Sequence, residues 1–96
     1  MLHIAVCDDD PADLREVQGR LEAYLQARPA LSGQVHPFSS GSALLEAAGE
    51  RGGFDVYLLD VVMTEPDGIQ TGLRLRELGE DGEIIYLTSS RDYAVE

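Results

Sequence analysis

Four runs dominated by apolar residues divide the chain, at residues 2–7, 35–38, 54–59 and 83–87. Within each run the apolar residues follow one another with little alternation, a pattern typical of strands that are covered on both faces. Glycine, proline, serine or aspartate residues flank the runs and mark turns or helix starts. The pattern therefore predicts four short buried strands.

The segment after the first strand has the period of an amphipathic helix. Asp10 is suited to the N-cap, Pro11 to the first helical position, and Asp13 to the first turn, where acidic residues are favourable. The helix is predicted to end near Arg28, just before Pro29. Its apolar face comprises Leu14, Val17, Leu21 and Leu25.

Further helices are predicted after the second, third and fourth strands. Residues 39–42 are suited to cap a helix that ends at Gly52, and a loop over residues 63–68 leads into a helix closed by Gly79. Another helix is predicted to begin near Arg91. The apolar positions of the two central helices are Leu44, Leu45 and Ala48, and Ile69, Leu73 and Leu78.

Strands that alternate with helices predict one α/β domain over residues 1–96, with a doubly wound parallel sheet and right-handed crossovers. In such sheets, ligands bind at the carboxyl ends of the strands. The functional residues are therefore expected at those ends.

The charge balance limits the partners of this segment. Eighteen acidic residues stand against seven basic ones, all arginine, which gives a net charge of −11. Such a chain is expected to be repelled by nucleic acid and by anionic membranes, so any DNA binding would need a separate domain. The single cysteine, Cys7, excludes an internal disulfide and fits a reducing cytoplasm, and no apolar stretch approaches the roughly 18 residues of a membrane span.

Acidic residues follow two of the predicted strands. Asp8 and Asp9 come after the first and Asp60 after the third, so one edge of the sheet should gather their carboxylates. Crowded carboxylates need a cation, and the hard cation Mg²⁺ prefers oxygen ligands. We predict Asp9 and Asp60 as direct ligands, Asp8 as the holder of a metal-bound water, and the Val62 carbonyl as a further ligand.

A carboxylate beside such an ion can attack a phosphoryl group and form an acyl phosphate. Asp60 is the predicted nucleophile because it is the solitary acid after the central strand. Plainer interpretations exist for the other residues: a run of aspartates before a helix is often a cap and a solvated loop, and a threonine such as Thr88 often bonds nearby backbone. His3 and His36 are interpreted as structural residues.

The chain resembles the response-regulator receiver domains of two-component signalling. Matching motifs occur in the same order and spacing: residues 4–11 (IAVCDDDP), 58–63 (LLDVVM), 67–69 (DGI) and 84–90 (IIYLTSS). Residues 35–41 (VHPFSSG) and 87–94 (LTSSRDYA) are most similar to receivers attached to LytTR-type DNA-binding domains.

The resemblance implies phosphorylation of Asp60 by a sensor histidine kinase, with Asp8 and Asp9 in an acidic Mg²⁺ pocket. Thr88 would be the switch hydroxyl and Ser89 the small residue beside the phosphate. The implied protein is a cytoplasmic signalling switch that controls an output, such as transcription, and is not a turnover enzyme. Thr64 is a departure, since it stands where the family usually has proline.

The resemblance also implies a flavodoxin-like strand order 2-1-3-4, with a fifth strand, a fifth helix and a phosphate-contacting lysine expected beyond Glu96. A receiver incomplete in this way would expose the strand at residues 84–87, and we expect that edge to favour self-association.

Two other functions remain open. One is a receiver-like interaction module that works without phosphorylation, suggested by the absence of lysine. The other is a phosphatase of the haloacid-dehalogenase type, whose paired aspartates have the spacing of Asp8 and Asp10. Pro11 and Ala12 do not continue that family's pattern.

Overall fold

A computed structural model describes residues 1–87 of the chain. Strands and helices alternate along these residues, as the apolar pattern predicts. The elements are β1 Leu2–Cys7, α1 Pro11–Gln26, β2 Gly33–Phe38, α2 Gly41–Arg51, β3 Val56–Asp60, α3 Gly68–Glu77 and β4 Glu83–Leu87. The helix predicted near Arg91 lies outside the described residues.

The four strands form one parallel sheet in the order β2-β1-β3-β4. This confirms the predicted doubly wound α/β fold and its strand order 2-1-3-4. Since β1 and β3 are the central strands, their carboxyl ends lie side by side. The register aligns Cys7 with Leu59, so the next residues along the two strands are Asp8 and Asp60.

Helices cover both faces of the sheet because the strand side chains alternate between two cores. On one face, α1 packs partly buried leucine and valine side chains against Ile4, Val6 and Leu58. On the other face, α2 and α3 bury Leu44 and Leu75. The strand residues of that second core include Ala5, Cys7, Tyr57 and Leu59.

The strand bounds differ from the sequence-based expectation in two places. Strand β2 begins at Gly33, two residues earlier than predicted, because its pairing with β1 extends back to Leu2. Strand β3 begins at Val56, two residues later than predicted, and the Phe54 amide donates to the Tyr57 hydroxyl, at 2.9 Å, outside the strand ladder. It also ends one residue later than predicted, so that Asp60 is the last residue of the strand.

Helix α1 is shorter than predicted, with Ala27 as its C-cap instead of an end near Arg28. Asp10 is its N-cap, as predicted, and accepts hydrogen bonds from the amides of Ala12 and Asp13. No helix among residues 1–87 is long and apolar enough to cross a membrane.

Strand β4 lies at one edge of the sheet and pairs with β3. Ile85 is 46% exposed and Tyr86 is 40% exposed, so this edge presents apolar surface. Self-association through the edge stays a prediction.

Candidate metal centre at the carboxyl edge of the sheet

Three carboxylates meet where β1 and β3 end. Asp8, Asp9 and Asp60 each offer an oxygen, and these oxygens all lie within 4.8 Å of one another. Asp8 is buried, while Asp9 and Asp60 are partly buried. The topology explains this cluster, because neighbouring parallel strands bring successive chain segments to the same edge.

The cluster concentrates negative charge in a partly desolvated position. Burial, together with the charges of Asp8 and Asp9, raises the pKa of Asp60 to about 6, although the hydrogen bond from the Val62 amide offsets part of the increase. Burial also raises the pKa of Asp8 above its ordinary value. Among residues 1–87, none of these carboxylates pairs with an arginine. The site therefore has a surplus of negative charge that a cation would offset.

Each carboxylate accepts a backbone hydrogen bond on one oxygen. Oδ1 of Asp8 accepts from the Asp10 amide at 2.9 Å, and Oδ2 of Asp9 accepts from the Thr64 amide at 3.0 Å. Oδ1 of Asp60 accepts from the Val62 amide over a longer 3.4 Å. Each side chain has a second oxygen that accepts no backbone hydrogen bond from residues 1–87, and three carboxylate donors of this kind fit a hard divalent cation such as Mg²⁺.

The loop between β3 and α3 lies over the site and is held at both ends. The Val61 amide donates to the Leu87 carbonyl at 3.1 Å, and the Gly68 amide donates to the Val61 carbonyl at 3.2 Å. Gly68 is required here because a Cβ atom at this position would run into the Asp60 carbonyl. At the far end, Asp67 forms a capping box with Gln70 that starts α3.

The other predicted site residues have different outcomes. Val62 lies at the site through its amide, and its carbonyl as a ligand stays a prediction. Thr88 and Ser89 lie outside the described residues. The Thr64 amide was missed by sequence reasoning, because a backbone donor carries no signal in the residue type. His3 lies near the start of β1 and contacts His36 of β2, with Nδ1 and Nε2 3.0 Å apart.

The family model described as "Response regulator receiver domain" matches residues 4–96. The chain therefore belongs to the response regulator receiver domain family of two-component systems. None of the curated proteins compared with the chain matches it.

Several solved structures share the fold. Response regulator TrrA from Thermotoga maritima, in complex with Mg²⁺ and BeF, is 23% identical with a TM-score of 0.77 over 98% of this chain and 76% of that one. A two-component transcriptional regulator AraC from Clostridium phytofermentans is 25% identical with a TM-score of 0.73, over 100% of this chain and 73% of that one.

The N-terminal domain of a response regulator/sensory box/GGDEF protein from Carboxydothermus hydrogenoformans is also similar. It is 21% identical with a TM-score of 0.75, over 90% of this chain and 63% of that one. The chain thus spans less than two thirds of the length of some solved chains that it matches, 63% of this one and 58% of another.

Proposed function

We propose that this receiver domain accepts a phosphoryl group on Asp60 from the phosphohistidine of a sensor histidine kinase. The observation that carries the proposal is the convergence of three carboxylate oxygens within 4.8 Å at the carboxyl edge of the sheet. Asp8, Asp9 and Asp60 would hold Mg²⁺ there, and the ion would neutralise charge on the transferring phosphoryl oxygens. The Val62 carbonyl is a further proposed ligand.

Asp60 is the nucleophile in this proposal. Since its pKa is raised to about 6, the side chain is still mainly a carboxylate at neutral pH and keeps a lone pair for attack. A carboxylate oxygen bonds to phosphorus while the N–P bond of the phosphohistidine breaks, and that electron pair returns to the imidazole nitrogen. The product is an aspartyl phosphate, so the domain is a switch that changes state once per transfer.

Two hydroxyl residues are proposed to link the site to an output. Thr88 and Ser89 directly follow β4, and we assign them the hydroxyl that turns toward the phosphate and the small position beside it. Modification would then shift the domain between two packings. A transcriptional output fits the similarity to a two-component transcriptional regulator, and the net charge of −11 favours DNA contact through a separate domain. The proposed location is the cytoplasm.

Phosphorylation can be tested by incubating the chain with acetyl phosphate and Mg²⁺ and measuring its intact mass. The expected result is one phosphoryl addition, which Asp60→Asn abolishes and EDTA prevents. Asp81→Asn is the matched control, because this exposed aspartate lies in the turn before β4 and should leave the addition intact. An adduct that persists in Asp60→Asn would assign phosphorylation to another residue.

A receiver-like module that binds partners without phosphorylation is the second candidate. It is favoured by one observation: all seven basic residues are arginine, so this chain supplies no lysine to contact a phosphoryl group. Amide chemical shifts during a Mg²⁺ titration separate the two. Shifts at Asp9 and Asp60 support the phosphoacceptor, and their absence supports the binding module.

A further inference from the structure

One hydrogen bond ties the two halves of the acidic site together. The amide of Thr64 donates to Oδ2 of Asp9 at 3.0 Å, although the two residues are 55 positions apart. Thr64 is exposed, and the contact is made by its backbone amide. The bond connects the turn after β1 to the loop after β3.

The loop that presents this amide is anchored on both sides of Thr64. Met63 packs against the core beneath α2 and α3, and its sulfur lies 3.6 Å from Sγ of Cys7. Pro66 is buried and lies close to Gly41, at the start of α2. Because Met63 and Pro66 are both packed, the Thr64 amide has a defined position relative to β1.

Asp9 differs from Asp8 and Asp60 in the origin of its hydrogen-bond donor. Asp8 and Asp60 accept hydrogen bonds from amides two residues further along their own segments, at 2.9 and 3.4 Å. Asp9 instead accepts from the other strand's loop. An aspartate side chain has two rotatable bonds, so an amide fixed elsewhere in the fold restricts the direction of its carboxylate.

We propose that the Thr64 amide is a positioning group that orients Asp9 for the divalent cation. It occupies Oδ2, and Oδ1 accepts no hydrogen bond from residues 1–87, on a carboxylate that offers one oxygen within 4.8 Å of one oxygen each of Asp8 and Asp60. Hydrogen bonds to metal-binding carboxylates from the surrounding shell fix their geometry and raise affinity. This inference rests on the proposed cation site and adds a residue to it.

The same bond links the cation to the loop. If the Asp9 carboxylate is directed by the loop, then binding of the ion to that carboxylate must in turn restrict the loop, because such coupling is reciprocal. The Thr64 amide proton should therefore exchange with solvent more slowly when Mg²⁺ is present. The affinity of the site thus depends on a backbone donor outside the carboxylate cluster.

The test removes the amide hydrogen while keeping the fold. Thr64→Ala retains the N–H and is the matched control, Thr64→Pro removes it, and an α-hydroxy acid incorporated at position 64 replaces the amide with an ester. The ester variant guards against strain that proline would impose on Met63. Mg²⁺ dissociation constants would be measured by calorimetry, and unfolding temperatures in EDTA would confirm that the variants are equally folded.

We expect Thr64→Ala to bind Mg²⁺ within about twofold of the original chain, and the proline and ester variants to bind roughly tenfold or more weakly. If the ester variant binds as tightly as Thr64→Ala, the positioning role is overturned and the cation site stands. If the original chain does not bind Mg²⁺ at all, both proposals fall.

A metal-free measurement isolates the hydrogen bond itself. In EDTA, Asp9→Ala should speed the hydrogen exchange of the Thr64 amide, and should leave unchanged the Gly68 amide, which donates to the Val61 carbonyl. An unchanged Thr64 exchange rate would show that Asp9 does not hold this amide in solution, and would overturn the inference whatever Mg²⁺ does.

Discussion

The sheet has an amino edge, where the strands begin, and a carboxyl edge, where they end. Polar groups are paired at the amino edge, and the carboxylates of the carboxyl edge lack a basic partner among residues 1–87. At the carboxyl edge, Asp8, Asp9 and Asp60 crowd together, and among residues 1–87 no arginine pairs with them. At the amino edge, His3 and His36 contact each other at 3.0 Å, and the Tyr57 hydroxyl has two hydrogen-bond partners. Strands β1 and β3 thus carry paired polar groups near their starts and end in unneutralised carboxylates.

The amino edge is built as a stack of rings. Tyr57 is fully buried, and its ring meets Phe54 edge to face at 5.7 Å between centroids. Its hydroxyl accepts from the Phe54 amide and donates to Oε1 of Glu80, both at 2.9 Å. His36 packs against Phe54 at 5.0 Å. Each buried polar group in this arrangement has a hydrogen-bond partner, so its burial is compatible with a stable fold.

The carboxyl edge stores unfavourable charge in the cation-free protein. Raised carboxyl pKa values mean that ionisation is less favourable in the folded state than in the unfolded state. A cation that binds the folded state would recover that free energy. The amino edge therefore maintains the fold, while the carboxyl edge is less stable on its own and is suited to a ligand.

The largest expected effect on stability comes from removing the Tyr57 side chain at the amino edge. Tyr57→Ala removes a fully buried ring and two hydrogen bonds, so it should reduce the free energy of unfolding by roughly 3–5 kcal/mol. Urea denaturation measures this loss. Tyr24→Ala is the control, because Tyr24 is 49% exposed on α1 and should change stability by no more than about 1 kcal/mol. Equal losses in the two variants would contradict a packed amino edge.

A smaller effect is expected from the Tyr57 hydroxyl alone. Tyr57→Phe keeps the ring but leaves the Phe54 amide without its acceptor, which should cost roughly 1–3 kcal/mol in urea denaturation. The Mg²⁺ affinity should not change, because the hydroxyl bonds residues at the edge opposite the carboxylates. A loss of affinity in this variant would show that the two edges are coupled.

At the carboxyl edge, the substitution Asp60→Asn should raise stability. At pH 7 without metal, it removes a charge that the folded state disfavours, and we expect a gain on the order of 1 kcal/mol after solvent screening. The original chain should gain stability as the pH falls through about 6 toward 3.8, because folded Asp60 takes up a proton before the unfolded chain does. The advantage of Asp60→Asn should therefore shrink over that range.

Urea denaturation at several pH values in EDTA measures this difference, and Asp81→Asn serves as an exposed control. If Asp60→Asn destabilises the chain at pH 7, the carboxylates do not repel one another enough to matter, and the contrast between the two edges would weaken.

The fold and the acidic cluster were predictable because both follow from order along the chain. Continuous apolar runs separated by helical periods imply a parallel sheet, and a parallel sheet brings the ends of β1 and β3 together. Asp8, Asp9 and Asp60 then converge without any knowledge of side-chain detail. Asp10 was also predictable as a cap, since its side chain bonds the nearest amides.

Other contacts were not predictable from the sequence. They join residues that are distant along the chain, either through backbone groups or between neighbouring strands. The Thr64 amide reaches Asp9 only because the loop after β3 folds over the edge. His3 and His36 meet because the register of β1 and β2 aligns His36 with Ala5, placing the two rings diagonally on one face. Phe54 lies outside β3, and its amide donates to a buried hydroxyl. Such contacts depend on register and loop path, which residue types alone do not specify.

The smallest expected effect tests the amino edge with acid. Burial lowers the pKa of His36, and the charges of Arg51 and His3 lower it further, so protonation is less favourable in the folded state. The stability that neutral His36 contributes is therefore present above pH 6.5 and is lost as the pH falls below that value. This slope is opposite in sign to that of Asp60. Two carboxylates bond to neighbouring groups: Asp55 accepts from the His3 amide, and Glu80 accepts from the Tyr57 hydroxyl.

His36→Gln should remove this acid-sensitive contribution, and we expect a change below about 1 kcal/mol because the side chain is only partly buried. Urea denaturation between pH 7.5 and about 5, carried out in the Asp60→Asn background, isolates the histidine from the opposing carboxylate. In that background the chain that retains His36 should lose stability on acidification, and the chain that also carries His36→Gln should lose less. Equal slopes would contradict a lowered pKa of His36 in the folded protein.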